Sequence, residues 1–162
     1  MTIDTELLIS VARQELVLLR LGVPLHRYAV STASAGLGEV RGSGCTPRGL
    51  HAIRAKVGAG CAPDTVFVGR RATGELYSPA MAAQHPGRDW ILSRILWLGG
   101  CEPGVNRGGE VDTLRRFIYI HGCPDGTPLG VPGSHGCVRM ANEAVIDLFD
   151  RVAVGTPVRI IE

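Results

Sequence analysis

The chain has 162 residues, 45% of them apolar, 20% charged and 5% aromatic, with a formal net charge of +2. A chain of this length buries roughly 70% of the surface that its extended form exposes, so a single domain spanning residues 1–162 can build a core without metal or disulfides. The composition excludes a disordered or collagen-like chain, and the small, scattered positive charge argues against a nucleic-acid partner.

The opening "MTIDTELLISVA" carries Asp4 and Glu6 where an export signal would carry positive charge. No stretch approaches the roughly 18 apolar residues that cross a bilayer, so no membrane partner is expected. Cysteines stand at 45, 61, 101, 123 and 137, an odd number with no CxxC pair. That usage suits a reducing compartment better than a disulfide framework. Together these features lead to the expectation of a leaderless protein of the cytoplasm.

In chain order, "LLISVA", "ELVLLRL" and "PLHRYAV" read as three short strands whose turn-like breaks suit antiparallel pairing. Residues 31–49, "STASAGLGEVRGSGCTPRG", read as a long Ser/Gly-rich surface excursion, a kind of loop that is uncommon unless it has work such as walling a cleft. "LHAIRAKVG" alternates His51, Ile53 and Ala55 with more polar neighbours and predicts a strand; "TVFVGRR" predicts another, followed by a turn around Gly74. In "DWILSRILWLGG", Trp90, Ile91, Arg94, Ile95 and Leu98 fall at helical spacings before two glycines, which predicts a short helix. A Gly-rich stretch over 99–110 follows, then the strand "RFIYIHG", which delivers His121 at its end. "ANEAVIDLFDRV" puts Val145, Leu148, Phe149 and Val152 on one helical face, with Asn142 as a candidate cap, and "TPVRIIE" closes the chain as a strand. With aromatics sparse, the core is expected to rest on Val, Leu, Ile and Ala.

The chemistry concentrates between His121 and Cys137, a 17-residue span holding five Gly and three Pro. Gly136 would permit an unusual backbone angle or the close approach of a substrate carbonyl. Cys137 precedes the helical pattern, where an N-terminal backbone field would favour thiolate. Attack on a peptide needs a nucleophile, a proton acceptor and donors facing the oxyanion. Cys137 can supply the first, His121 the second, and the N–H groups of Gly136 and Cys137 the third. Either Asp125 or a backbone carbonyl such as that of Gly122 could hold the imidazole tautomer.

These same residues admit a second reading. His121, Cys123, His135 and Cys137 could form a His2Cys2 zinc site in a structural or binding module, although the spacing is tighter than in common zinc motifs. Cys45, Cys61 and Cys101 read as unpaired small side chains. His26 and His51 read as packing or surface residues in strands, and His85 as part of a polar turn.

"HG" at 121–122 with "SHGCVRM" at 134–140, and "VSTA" at 30–33 with "TPRG" at 46–49, resemble the L,D-transpeptidase catalytic domain, or YkuD, family. The resemblance implies a mainly β, L,D-transpeptidase-like β-sandwich with short helices around the catalytic cleft. It implies Cys137 as nucleophile, His121 as general base oriented by the Gly122 carbonyl, and His135, Gly136 and Cys137 around the oxyanion. Ser134 and Arg139 match positions that brace the site or engage substrate, many relatives having Asn where this chain has Arg139. No cofactor or metal is assigned.

The implied substrate is a bacterial cell-wall stem peptide, attacked at the carbonyl of its third residue with loss of D-alanine and formation of a thioester. Water would complete carboxypeptidation and an amine transpeptidation. With the cytoplasmic expectation, the leading reading is an L,D-carboxypeptidase that removes terminal D-alanine from small muropeptide tetrapeptides in peptidoglycan recycling. Cross-linking by an L,D-transpeptidase is the alternative. Segments 31–49 and 99–110 are expected to wall the cleft, and Arg139, ahead of Arg48 and Arg107, to bind the terminal carboxylate.

Overall fold

A computed structural model describes residues 4–162, so the opening Met1–Ile3 lies outside the described residues. The three N-terminal strands form as their apolar runs predict: β1 (Thr5–Ser10), β2 (Glu15–Arg20) and β3 (Val23–Ser31), paired antiparallel in sequence. They are followed by β4 (Gly49–Val57), β5 (Thr65–Val68), β6 (Arg71–Leu76), the short helix α1 (Pro79–Gln84) and β7 (Ile91–Gly100). The chain ends with β8 (Tyr119–Gly122), β9 (Val138–Met140), helix α2 (Asn142–Arg151) and β10 (Pro157–Ile161). The fold is mainly β with short helices, as the resemblance implies.

The strands join in the order β4-β10-β1-β2-β3-β9-β8-β7, and β7 pairs back onto β4, which closes the ring. Leu7, Ile9, Leu16, Val30, Ile53, Leu96, Leu98, Ile120 and Met140 fill one core together with Val145, Leu148 and Phe149 of α2. Trp90 with Val66 and Leu92, and Phe67 with Ile95 and Tyr119, make two smaller apolar clusters.

The helix expected at 89–100 is a strand. Its apolar residues do fall at helical spacing, but β7 is central: β8 pairs on one edge, while β5 and then β4 pair on the other. A strand covered on both faces has no polar face, and Leu92 through Leu96 are all buried, so alternation disappears and spacing alone misleads. The terminal glycines serve close packing instead of a helix cap. A Cβ at Gly99 would stand 2.6 Å from Arg54 Cγ, and one at Gly100 would run into the Asn106 carbonyl.

Three other expectations shift. The strand proposed from Arg116 begins only at Tyr119, because Phe117 has a left-handed φ of 57° and turns the chain. The turn expected at Gly74 falls instead at Gly69–Arg70, both with positive φ, and Gly74 lies within β6. Asn142 is the first residue of α2 and not its cap, which is Ala141.

Two pairings are parallel, β1 with β10 and β8 with β9. The second decides the site. Parallel neighbours need a connection of about a dozen residues or more, and the 123–137 loop supplies it. Ile120 then faces Val138 and His121 faces Arg139, so the end of β8 and the start of β9 lie side by side.

Candidate active site

His121, at the end of β8, is fully buried, and its Nδ1 donates to the Gly122 carbonyl at 2.7 Å. The orienting group is therefore the backbone carbonyl; Asp125 points instead toward Asn142 Nδ2, at 3.4 Å. With the proton on Nδ1, Nε2 carries a lone pair, and this buried atom has no hydrogen-bond partner among the described residues. Burial lowers the imidazole's affinity for a second proton, opposed by the Gly122 carbonyl. The ring is neutral, tautomer-fixed and unsatisfied at one nitrogen.

The glycine that orients it is itself braced. A Cβ at Gly122 would lie 2.5 Å from both the Asn142 side-chain oxygen and the Leu92 carbonyl. Asn142 Oδ1 accepts from Ser93 Oγ at 2.6 Å, and its Nδ2 donates to the Cys123 carbonyl at 2.9 Å and to Asp64 at 3.0 Å. Ser93 has a left-handed φ of 70° at the bulge where β7 shifts register against β8. Sequence reading missed this support. The one signal available was an Asn at a helix start whose side chain could serve something other than a cap.

Cys137 Sγ accepts from the Tyr119 N–H at 3.3 Å and donates to the Phe117 carbonyl at 3.4 Å. Cys137 immediately precedes β9, the neighbour of the strand that carries His121, and no hydrogen bond joins the thiol to the imidazole. Three-residue β9 separates Cys137 from α2, so the helix N-terminus expected to favour thiolate is not at the sulfur. Burial pushes the thiol up to about 12; the Tyr119 N–H, Arg139 and Arg116 work against that rise, and Asp89 adds to it. At neutral pH the group is a thiol.

The turn that carries it is tied by hydroxyls. Gly136 has φ 134°, a backbone conformation suited to glycine. Ser134 Oγ accepts from the Gly136 N–H at 3.2 Å and donates to the Cys137 carbonyl at 2.5 Å. Thr46 Oγ1 donates to the Gly136 carbonyl at 2.9 Å and accepts from the Ala33 N–H at 3.0 Å. Of the two N–H groups expected to face an oxyanion, that of Gly136 is thus taken by Ser134, and that of Cys137 remains uncommitted among the described residues.

Thr46 explains the second half of the resemblance. Thr32, Ala33 and Thr46 are fully buried, so 31–49 is less an excursion than a strap knotted to the cysteine turn. Arg116 fastens it further, donating to the carbonyls of Gly38, Glu39 and Cys45. In the sequence Arg116 was only half of a basic pair.

The remaining candidates separate. Arg139 donates to Asp89 at 3.0 Å and to the Gly133 carbonyl at 2.9 Å, so its fork is already engaged. His135, at 74% side-chain exposure, stands in solvent with Nδ1 3.7 Å from the same Asp89. Asp89, unflagged by sequence, bridges the two. Arg48 pairs with Glu39, and Arg107 is exposed. Cys123 is buried and donates to the Met140 carbonyl. The zinc set does not converge: among the described residues no three His, Cys, Asp or Glu side chains gather where they could hold a metal ion. All five cysteines are free.

A strand-end imidazole thus lies beside the strand that Cys137 leads into, with the 31–49 strap tied to the cysteine turn through Thr46. Residues 4–160 match the family model of the L,D-transpeptidase catalytic domain, and the chain belongs to that family. It is 45% identical over 100 residues to the probable L,D-transpeptidase YbiS of Escherichia coli strain K12, a match covering 60% of this chain and 32% of that protein. Among solved structures, L,D-transpeptidase 3 from Mycobacterium tuberculosis superposes with a TM-score of 0.60 at 16% identity, over 98% of this chain and 61% of that one. An L,D-transpeptidase from Xylanimonas cellulosilytica gives 0.57 at 20% identity, over 99% and 62%. The chain thus spans about a third of the length of YbiS and about six tenths of these two solved chains. No helix among the described residues is long and apolar enough to cross a membrane.

Proposed function

We propose that the protein is a cysteine-dependent L,D-carboxypeptidase that removes terminal D-alanine from soluble muropeptide tetrapeptides during peptidoglycan recycling. The observation that carries the reading is His121: a buried neutral imidazole with Nδ1 held by Gly122 and Nε2 left without a partner, next to the strand that presents Cys137. A buried acceptor without a partner is costly, and it is kept where a proton must arrive.

Substrate binding turns the thiol from the Phe117 carbonyl toward Nε2. Cys137 gives its proton to His121 as sulfur bonds to the carbonyl carbon of the third residue. The oxyanion is met by the Cys137 N–H. Collapse breaks the amide C–N bond, and the His121 proton leaves with the D-alanine amine. Water then attacks the thioester with His121 as base, and the tripeptide acid and free thiol are restored. Ser134, Gly136 and Thr46 hold the turn, with His135 and Arg139 joined through Asp89 at its edge.

Hydrolysis over cross-linking rests on where the substrate is met. Five free thiols favour the cytoplasm, where substrates are small released peptides. The same thioester would cross-link stems if an amine reached it first, the activity named for YbiS and for the solved relatives. Incubation with tetrapeptide and an acceptor stem separates the two. Tripeptide and free D-alanine are the expected products; a cross-linked dimer as the main product would replace the carboxypeptidase reading with the transpeptidase one.

A further inference from the structure

We propose that Arg70 binds a carboxylate of the peptide substrate, a role that rests on the proposed peptide-cleaving function. Arg70 occupies the left-handed turn between β5 and β6, at φ 63°. That turn folds its side chain back over the sheet. The guanidinium lies 4.7 Å above the Trp97 ring and 4.9 Å from that of Phe117, and Nη1 donates to Tyr119 Oη at 3.0 Å. Aromatic faces and one hydroxyl fix the fork in place without neutralising it.

Of the other restrained arginines, Arg88 lies 4.3 Å over the Trp90 ring with no hydrogen bond among the described residues to fix its fork, and the rest are engaged. Arg139 faces Asp89, Arg48 faces Glu39, Arg27 faces Glu15 and Arg151 faces Asp147. Arg116 donates to backbone carbonyls of the strap, and Arg94 Nη1 donates to those of Cys61 and Ser93, its Nε being buried out of reach of solvent. Arg70 has no acidic partner within 4.0 Å among the described residues, and one of its five N–H donors accounts for its hydrogen bond. A half-buried, immobilised cation with donors to spare is built to receive an anion.

Its place ties that anion to the chemistry. The residues beneath the guanidinium, Phe117 and Tyr119, are the two whose backbone groups hold Cys137 Sγ. A peptide whose scissile carbonyl meets the sulfur therefore lies beside the Arg70 platform. Two carboxylates of a wall tetrapeptide could reach it: that of the leaving D-alanine, and that on the side chain of a dicarboxylic diamino acid at the third position. Both offer the planar bidentate acceptor that a guanidinium fits.

The test measures binding in a Cys137→Ala background, so that it does not depend on turnover. Tetrapeptide, its C-terminal amide and its analogue with lysine in place of the third-position dicarboxylic residue are titrated against Cys137→Ala and Cys137→Ala/Arg70→Gln by calorimetry. Arg70→Gln is expected to weaken tetrapeptide binding about tenfold or more, with Arg70→Lys intermediate. The penalty should vanish on one analogue, which names the carboxylate. Equal binding of tetrapeptide to both proteins, an equal penalty on all three ligands, or no tetrapeptide binding to Cys137→Ala would overturn the role. If Arg70→Gln does not fold by thermal melt, Arg70→Lys carries the comparison with the same substrate dependence required. Failure of wild-type protein to release D-alanine, with the charge-dependent penalty intact, would instead overturn the cleavage reading alone.

Discussion

His51 and His121 are buried alike and anchored alike, yet they end in opposite conditions. Each has Nδ1 against a glycine carbonyl, Gly49 for His51 at 3.0 Å and Gly122 for His121 at 2.7 Å. Burial lowers the proton affinity of both. The difference is Nε2. In His51 it meets Thr113 Oγ1 at 3.0 Å, and Thr113 in turn donates to the Asn106 carbonyl. In His121 it meets no partner among the described residues. One ring closes a network that pins the 101–118 segment to β4, and the other leaves a network open beside a thiol. A satisfied buried imidazole is structural, whereas an unsatisfied one calls for an explanation, which the proposed base role supplies.

The largest expected effect sharpens that contrast through activity. His121→Gln should lower D-alanine release by about a thousandfold or more, consistent with loss of a general base, while His51→Gln should stay within about threefold. Rates on tetrapeptide at neutral pH check this, and comparable losses from the two changes would erase the distinction.

Stability should reverse the order. His51→Ala removes two buried hydrogen bonds and leaves a cavity, for a cost of about 2–4 kcal/mol, and His121→Ala should cost less because only one bond is lost. Urea melts of the two variants give the comparison.

An effect of comparable size follows from pH. The His51 pKa is lowered from 6.5 to about 4, burial being the main cause and the Gly49 carbonyl opposing it. Above 6.5 both folded and unfolded forms are neutral at this residue, and its contribution is complete. As pH falls from 6.5 toward 4 the unfolded chain takes a proton that the folded one refuses, and roughly 3 kcal/mol is lost. Urea unfolding of wild type across that window should show the decline, flattened in His51→Gln; parallel curves would mean that another group is responsible. His121 shifts in the same direction, so the base should remain active somewhat below the ordinary imidazole range.

Smallest is the effect of support. Asn142→Leu leaves His121 and Cys137 in place but removes the contact beneath Gly122, and a loss of about tenfold in rate is expected. An unchanged rate would show that the His121–Gly122 bond alone sets the ring.

What could be read from the chain follows from how local each cause is. β1 to β4, β10 and α2 are driven by apolar periodicity within their own segments, and they form within a residue or two of where that pattern puts them. The His-Gly and Ser-His-Gly-Cys elements were legible because reactive residues in a Gly/Pro-rich loop have few structural reasons to exist. β7 was not legible, since its burial on both faces comes from β4, β5 and β8. β9 has three residues and exists through pairing with β3 and β8. The strap at Thr46, the carboxylate of Asp89 and the Asn142–Ser93 brace act across gaps of more than 40 residues, which no local pattern encodes. Arg70 reads as one of two adjacent arginines until the turn lays it on Trp97.

The most direct measurement is the intact mass of the protein, acid-quenched within one turnover of tetrapeptide. A tripeptide acyl adduct confined to the fragment bearing Cys137, with one equivalent of free D-alanine, is the predicted result. Release of D-alanine by Cys137→Ala at the wild-type rate, with no adduct on either protein, would contradict the account.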